Sequence, residues 1–309
     1  MGGAPADIIG ASVATHAFWH SVKKFKLSVP FRHANDLDFA AYLLRVGGGT
    51  QESFEIEGES DLISLPPGVN SVDSLEKLID CVYGTGSLNT TDLTGAEAIL
   101  ATTNSCIQEI NQAVLDRMPG QMISLCATDT LSGAQDGTQG NSEYNYPPEI
   151  LNAIHASGGP PGMLNLKVGA IIVFIRNVNF FQGMVNGQKA RVIEISQRLL
   201  RVQLLTPDKP IVNVPRIDFD LQAGPRGVHF GRRQFPITLC FASTFHRCQG
   251  QTLTRVGIDL RNQPFTHGMA YVCMSRPQAA HQMTVLSLVS PALIKNVVYQ
   301  PLAQAARQD

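Results

Sequence analysis

Phe241-Ala242-Ser243-Thr244-Phe245-His246-Arg247-Cys248-Gln249-Gly250-Gln251-Thr252 is the stretch from which the rest of the chain can be read. An apolar run gives way within a few residues to a turn of hydroxyls, a basic pair, amides and one glycine. A second stretch follows downstream, Ala270-Tyr271-Val272-Cys273-Met274-Ser275-Arg276. Short apolar runs bounded by polar turns read as buried strands. On that reading each strand ends by presenting donors where a charged oxygen could sit. The class this suggests is α/β.

Working outward, Ala98–Asn104 has the same texture, a short buried strand entering an amphipathic helix, Cys106–Arg117, with apolar positions at 107, 110, 114 and 115. A helix is expected over Leu37–Val46, capped by Asn35 or Asp36 and stopped by Gly47-Gly48-Gly49. Others are expected over residues 4–20, over Val72–Tyr83, and from Pro147-Pro148-Glu149 through His155. Phe25–Val29 and Phe54–Ile56 read as strands, and residues 129–147 as a polar, glycine-rich surface loop. The texture changes at Leu164. Strand-like runs at 170–175, 190–195, 199–205 and 211–215, with Asn186-Gly187 as a hairpin signal, suggest a small β-barrel. Strand 237–242 then returns to the earlier pattern. The organisation expected is an α/β domain interrupted by a β-rich insertion: residues 1–163, then 164–235, then 236–309.

Composition narrows the classes. With 309 residues, 44% hydrophobic and 16% charged, the chain is globular rather than disordered. Net charge is −1, but residues 1–159 hold 7 Lys+Arg against 19 Asp+Glu (−12), and residues 160–309 hold 17 against 6 (+11). Such a split suggests a polyanion-binding face on the C-terminal half; ordinary solvated charge is the plain alternative. Six cysteines without a C-x-x-C pair indicate neither a disulfide framework nor a zinc site. His16, His20, His33 and His155 lack metal-ligand spacing, so no metal site is expected on this chain. No secretory signal is evident, and the longest uncharged run, Pro277–Ile294, is a poor membrane span. A soluble, intracellular protein is expected.

The order of the two opening stretches resembles the fifth and sixth motifs of superfamily-one helicases, and most closely the PIF (petite integration frequency) family of 5′→3′ DNA helicases with its Helitron-type relatives. Leu164-Asn165-Leu166-Lys167-Val168-Gly169, running on to Asn186-Gly187 and Val192, resembles the start of that family's inserted SH3-like barrel, domain 2B. Residues 232–285 resemble the fifth and sixth motifs with their spacing. Residues 6–32 resemble the segment leading into the fourth motif, usually N-M-R, where only Arg32 of Pro30-Phe31-Arg32 matches. The resemblance implies the second RecA-like domain of a P-loop NTPase-type motor, with the barrel inserted. The chain contains no Gly-Lys dipeptide, hence no G-x-x-x-x-G-K-[ST] phosphate loop. It therefore reads as the C-terminal half of a helicase, beginning at Met1-Gly2-Gly3 inside what would be a longer protein.

The same resemblance assigns roles. Arg276 is the arginine that reaches a nucleotide γ-phosphate, against the plain reading of a strand-end surface arginine, and Arg32 is a second nucleotide sensor. Thr244, His246, Arg247 and Gln249 would contact single-stranded DNA, while Gly250 and Gln251 would lie nearer the nucleotide. The plain alternative is a polar loop capping a helix. Thr102, Thr103 and Asn104 are a further phosphate contact, or simply an N-cap supplied by Asn104 or Ser105. Cys248 replaces a family serine and weakens any contact there. The cofactors implied are ATP and Mg²⁺, held mainly by an N-terminal RecA-like partner domain; the DNA partner is single-stranded, in nucleus or mitochondrion. Two rival readings remain, a non-catalytic single-stranded-DNA-binding module and an interaction remnant without a nucleic-acid role.

Overall fold

The structure is a computed structural model that describes residues 5–23, 25, 29–56, 58–88, 90–131, 148–154, 156, 158–222 and 229–305. The chain forms two compact units, one of residues 1–85, 96–110 and 242–309, the other of residues 86–95 and 111–241.

The first unit is built on five parallel strands in the order Ala242–Thr244, Glu97–Ala101, Arg255–Asp259, Met283–Leu286, Asn70–Val72. Glu97–Ala101 is buried at every position, as a strand covered on both faces must be. Helix Leu75–Tyr83, capped by the Ser74 hydroxyl, lays Leu78, Ile79 and Val82 on the sheet. Gly257 makes that approach possible: a Cβ there would lie 2.9 Å from Ile99, 3.0 Å from Val82 and 3.1 Å from Leu78. Helix Leu37–Gly47 begins where the Asp36 carboxylate accepts from the Phe39 amide, and buries Phe39, Tyr42, Leu43 and Val46. The expected helix is present, and of the two candidate caps, Asn35 and Asp36, it is Asp36 that serves. A small antiparallel sheet, Ser53–Ile56 with Glu59–Ser64 and Leu293–Lys295, completes the unit.

Three expectations change here. Ala270–Met274 is not a strand but part of a helix, Met269–Met274. An all-apolar run of that length has no readable period. Tertiary packing decides it: Met269, Ala270, Cys273 and Met274 form the buried face, and the Tyr271 ring lies over Gly47. Residues 4–20 do not form one helix but a short one, Pro5–Gly10, followed by 3-10 turns at Val13–Thr15 and Ala17–Ser21. The run 237–242 is divided. Ile237–Leu239 pairs antiparallel with Ile171–Phe174 in the second unit, and only from Ala242 does the chain join the parallel sheet beside Glu97–Ala101. Of the expected strand 25–29, residues 26–28 lie outside the described residues, as do Met1–Gly3, His155 and 132–147.

The second unit is antiparallel. Its main sheet runs Ile211–Pro215, Leu199–Leu204, Lys189–Ile195, Ile171–Phe174, Ile237–Leu239, so all four strand runs read after Leu164 are present. Two further groups were not foreseen: Ile217–Gln222 with His229–Gln234 and Thr128–Leu131, and Ile123–Cys126 with Met163–Leu166. Thr128–Leu131 is thus a strand where a loop start was expected. Its anchor is Arg232, wholly buried and paired with Asp129.

Candidate functional site

Arg276 follows helix Met269–Met274, and its guanidinium folds inward, with 6% of the residue exposed. Nε donates to the Val272 carbonyl at 2.8 Å and Nη2 to the Ser275 hydroxyl at 2.7 Å. Nη1 donates to the carbonyls of Cys248 and Gln251 at 3.4 and 3.3 Å. The Leu253 amide donates to the Arg276 carbonyl at 3.1 Å. Arg276 therefore ties the helix to the turn 245–251 from beneath. A guanidinium has five N–H groups, so one Nη2 hydrogen is left.

Arg32 reaches the same place from a 3-10 turn, Phe31–His33, donating from Nη1 to the Ser275 carbonyl at 3.1 Å. Two guanidiniums thus flank one residue. Among the described residues, no carboxylate lies within salt-bridge distance of either. Burial, and next the Arg32 charge, press the Arg276 pKa below its ordinary value. His33, adjacent, is held below the usual histidine value chiefly by burial and further by Arg32 and Arg276. A hydrogen bond to Pro277 and the charge of Asp36 pull the other way. Cations gathered without counter-charges in a partly dry setting favour an anion.

The turn after Ala242–Thr244 keeps one side in and one side out. Phe245 and Cys248 are fully buried, and the Cys248 thiol donates to the Phe245 carbonyl. His246, Arg247, Gln249 and Gly250 are exposed. The Thr244 hydroxyl accepts from the Arg247 amide at 3.3 Å and sets the turn. Gly250 takes a φ of 87°, which a residue with a Cβ resists. Gln251 is half-buried and its Nε2 donates to the Arg247 carbonyl at 3.3 Å. Cysteine at 248 thus costs the surface nothing, because that position faces the core.

Thr244 pairs with Ala101, so the turn 245–251 and the segment 102–104 leave neighbouring strands at the same edge of the sheet. Thr102 is buried and its hydroxyl donates to the Asn262 carbonyl at 3.3 Å, so it is not presented to a ligand. Asn104 is exposed at the start of helix Asn104–Arg117. The N-cap is neither Asn104 nor Ser105: the Thr103 hydroxyl accepts from the Cys106 amide at 3.4 Å. The structure thus gathers Arg32, Arg276 and the underside of the turn, and separately exposes His246, Arg247 and Gln249. Sequence reasoning found no metal-ligand spacing at His33 and gave Ser275 no role; only the charges around them single them out.

The family model described as DNA helicase Pif1, 2B domain, matches residues 149–195. ATP-dependent DNA helicase PIF1 of Danio rerio is 32% identical over 142 residues, which are 45% of this chain and 22% of that protein. ATP-dependent DNA helicase Pif1 of Bdellovibrio bacteriovorus is 32% identical over 117 residues, 38% of this chain and 26% of that protein. The chain therefore matches about a quarter of the length of these curated relatives. Among solved structures, Pif1 helicase from Candida albicans aligns with a TM-score of 0.60 at 21% identity, covering 93% of this chain and 61% of that one. Pif1 helicase from Bacteroides in complex with ADP-AlF3 and ssDNA aligns with a TM-score of 0.55 at 17% identity, covering 93% and 55%. The parallel α/β sheet, the antiparallel unit with its 2B match and the curated similarities converge: the chain is similar to PIF-type DNA helicases in fold and, over part of its length, in sequence.

Proposed function

We propose that this chain supplies the C-terminal motor half of an ATP-dependent 5′→3′ DNA helicase. On this reading the parallel unit belongs to the second RecA-like domain, expected from sequence over 1–163 and 236–309, and the antiparallel unit, which takes in 86–95 and 111–241, contains domain 2B, expected over 164–235. The observation that carries it is the pair Arg32 and Arg276, two guanidiniums held around Ser275 by carbonyls and a hydroxyl, with no carboxylate within salt-bridge distance among the described residues. That donor set suits the γ-phosphate of a nucleotide whose remaining contacts, and Mg²⁺, come from an N-terminal domain with a phosphate-loop lysine. Bound ATP supplies the charge and the bond to be broken; Arg32 and Arg276 stabilise the negative charge at its γ-phosphate.

The same bonds suggest how nucleotide state reaches DNA. Arg276 can offer a phosphate more than one hydrogen only by releasing a present partner. Two of those partners are the carbonyls of Cys248 and Gln251, which bracket Gln249-Gly250. Engaging the anion therefore loosens the turn that carries His246, Arg247 and Gln249, the residues proposed to hold single-stranded DNA. Asn104, at the same sheet edge, is placed to join them. Alone, the chain should hydrolyse ATP no faster than background, since arginines do little for phosphoryl transfer when nothing else positions the phosphates.

Fluorescence anisotropy of a labelled oligothymidine across a salt series tests the DNA side. Arg247→Ala should weaken binding and flatten the slope of log affinity against log salt by about 0.7, one phosphate contact on a single strand. Gln249→Ala should weaken binding with the slope unchanged. If Arg247→Ala altered neither affinity nor slope, the assignment of this turn to DNA would fail.

A further inference from the structure

His33 stands among the two arginines with half of its hydrogen-bonding capacity unspent. Its ring meets Phe39 edge-on, with centroids 5.4 Å apart and planes at 86°. One hydrogen bond goes to the Pro277 backbone, and Nε2 is buried with no partner among the described residues. The charged groups that act on it are Arg32 on its own 3-10 turn, Arg276 beyond the neighbouring helix, and Asp36 at the start of helix Leu37–Gly47. The Asp36 oxygens are already committed, one to the Phe39 amide and one to the Ala280 amide, both at 3.0 Å.

We propose, resting on the reading of Arg32 and Arg276 as an anion site, that His33 is its proton-coupled member: neutral while the arginines stand alone, and taking one proton from solvent onto Nε2 when a phosphate-type polyanion settles on them. The argument is electrostatic. Two guanidiniums oppose a third positive charge beside them, and burial opposes it further. An anion cancels the first effect, and the remaining neighbours, the Asp36 carboxylate and the Pro277 carbonyl, both favour imidazolium. Nothing else need move: Nε2 gains a hydrogen, the Pro277 bond stays, and the net charge of the site rises by one just as the anion's charge arrives. Anion binding should then tighten in acid, because the bound state takes up a proton.

The test uses the whole chain, labelled with ¹⁵N on histidine and arginine side chains, with cyclic trimetaphosphate as probe because its charge is constant across about pH 5 to 8. His33→Gln, Arg32→Lys and Arg276→Lys assign the resonances. Saturating trimetaphosphate should move the Nε signals of Arg32 and Arg276 and raise the His33 midpoint by about one pH unit, with tenfold tighter binding at the acid end. His33→Gln should bind with almost no pH dependence. His267, half-buried and with no arginine among the causes that lower its pKa, should not move. Arginine signals that shift while the His33 midpoint stays fixed would overturn the coupling and leave the anion site standing. Silent arginines would overturn the anion site and the coupling with it. An equal shift at His267 would mark a bulk ionic effect and also overturn the coupling.

Discussion

Arg232→Met should damage the antiparallel unit by an amount that can be worked out from its bonds. The side chain is wholly buried, and all five of its N–H groups are spent. Nε and Nη2 donate to the two Asp129 oxygens at 2.9 and 2.8 Å. The rest go to the carbonyls of Leu151 at 2.6 Å, Pro160 at 3.0 Å and Ile154 at 3.2 Å. Removing one partner of a buried ion pair costs ~3–5 kcal/mol, because the other charge stays behind in a dry place. Three carbonyls lose their donor as well, each costing ~1–3 kcal/mol if no water enters. The expected loss is therefore about 5 kcal/mol or more, comparable with the whole stability of a small domain. Asp129→Leu leaves the carbonyls satisfied and should cost ~3–5 kcal/mol. The double variant removes both charges and orphans only the carbonyls, so it should lose about 3 kcal/mol, less than Arg232→Met alone. The chain's one tryptophan, Trp19, lies in the other unit and would miss the effect. Hydrogen exchange of the amides in His229–Gln234, read by mass spectrometry, would see it. Additive losses in the double variant, or a loss below about 1 kcal/mol for Arg232→Met, would refute the reasoning.

Arg276→Ala should leave the parallel sheet folded but speed exchange of the Gln249 and Gln251 amides about tenfold or more, since its bonds to the turn vanish; unchanged exchange would mean the turn holds itself. Gly257→Ala should destabilise the parallel unit by ~1–3 kcal/mol in urea melts followed by Trp19 fluorescence, because its Cβ meets packed side chains on three sides. The pH dependence has a definite sign. His33 and His267 are both held below their ordinary value of 6.5 in the folded chain, chiefly by burial. The unfolded chain then binds more protons in acid, so stability falls as pH drops through about 6.5. Melts of the wild type and of a His33→Gln, His267→Gln variant should diverge below that pH, the variant showing the flatter curve; parallel curves would count against it.

What could be read from residues alone follows a physical divide. Helix Leu37–Gly47 and its Asp36 cap were legible because capping and a 3.6-residue apolar stripe are local signals. The four strands between 171 and 215 were legible because three of them face the core on alternate residues and the fourth, Ile171–Phe174, is a short continuous apolar run. Met269–Met274 was not, since an apolar hexapeptide reads the same whether it pairs with strands or packs as a buried turn of helix. Nor was the break at Cys240-Phe241, where one apolar run serves two sheets; the Cys240 amide still bonds Ile171 while Ala242 already pairs with Ile99. Thr128–Leu131 was missed because what holds it is a long-range ion pair, Asp129 to Arg232, which leaves no mark near either residue. At the site, exposure of His246, Arg247 and Gln249 agrees with a polar turn. The buried hydroxyl of Thr102 and the charge field around His33 needed coordinates.

The charge split between the two halves of the sequence acquires a different meaning once folded. Acidic residues of the first half pair with basic residues of the second: Glu97 with Arg255, Glu109 with Arg261, Asp129 with Arg232, Glu59 with Lys295. Other cations of the second half are spent on carbonyls, Lys167 on Met118, Lys189 on Gly95, Arg191 on Thr90 and Leu93, Arg216 on Cys126. Much of the excess is therefore internal glue and offers no field to a polyanion. An affinity for DNA set by net charge would change little when one surface arginine is lost. One set by a few uncommitted cations must change visibly. That is why the single removal of Arg247, exposed and with no carboxylate partner among the described residues, is the informative measurement, and why its effect should appear in the salt slope rather than in the folded stability.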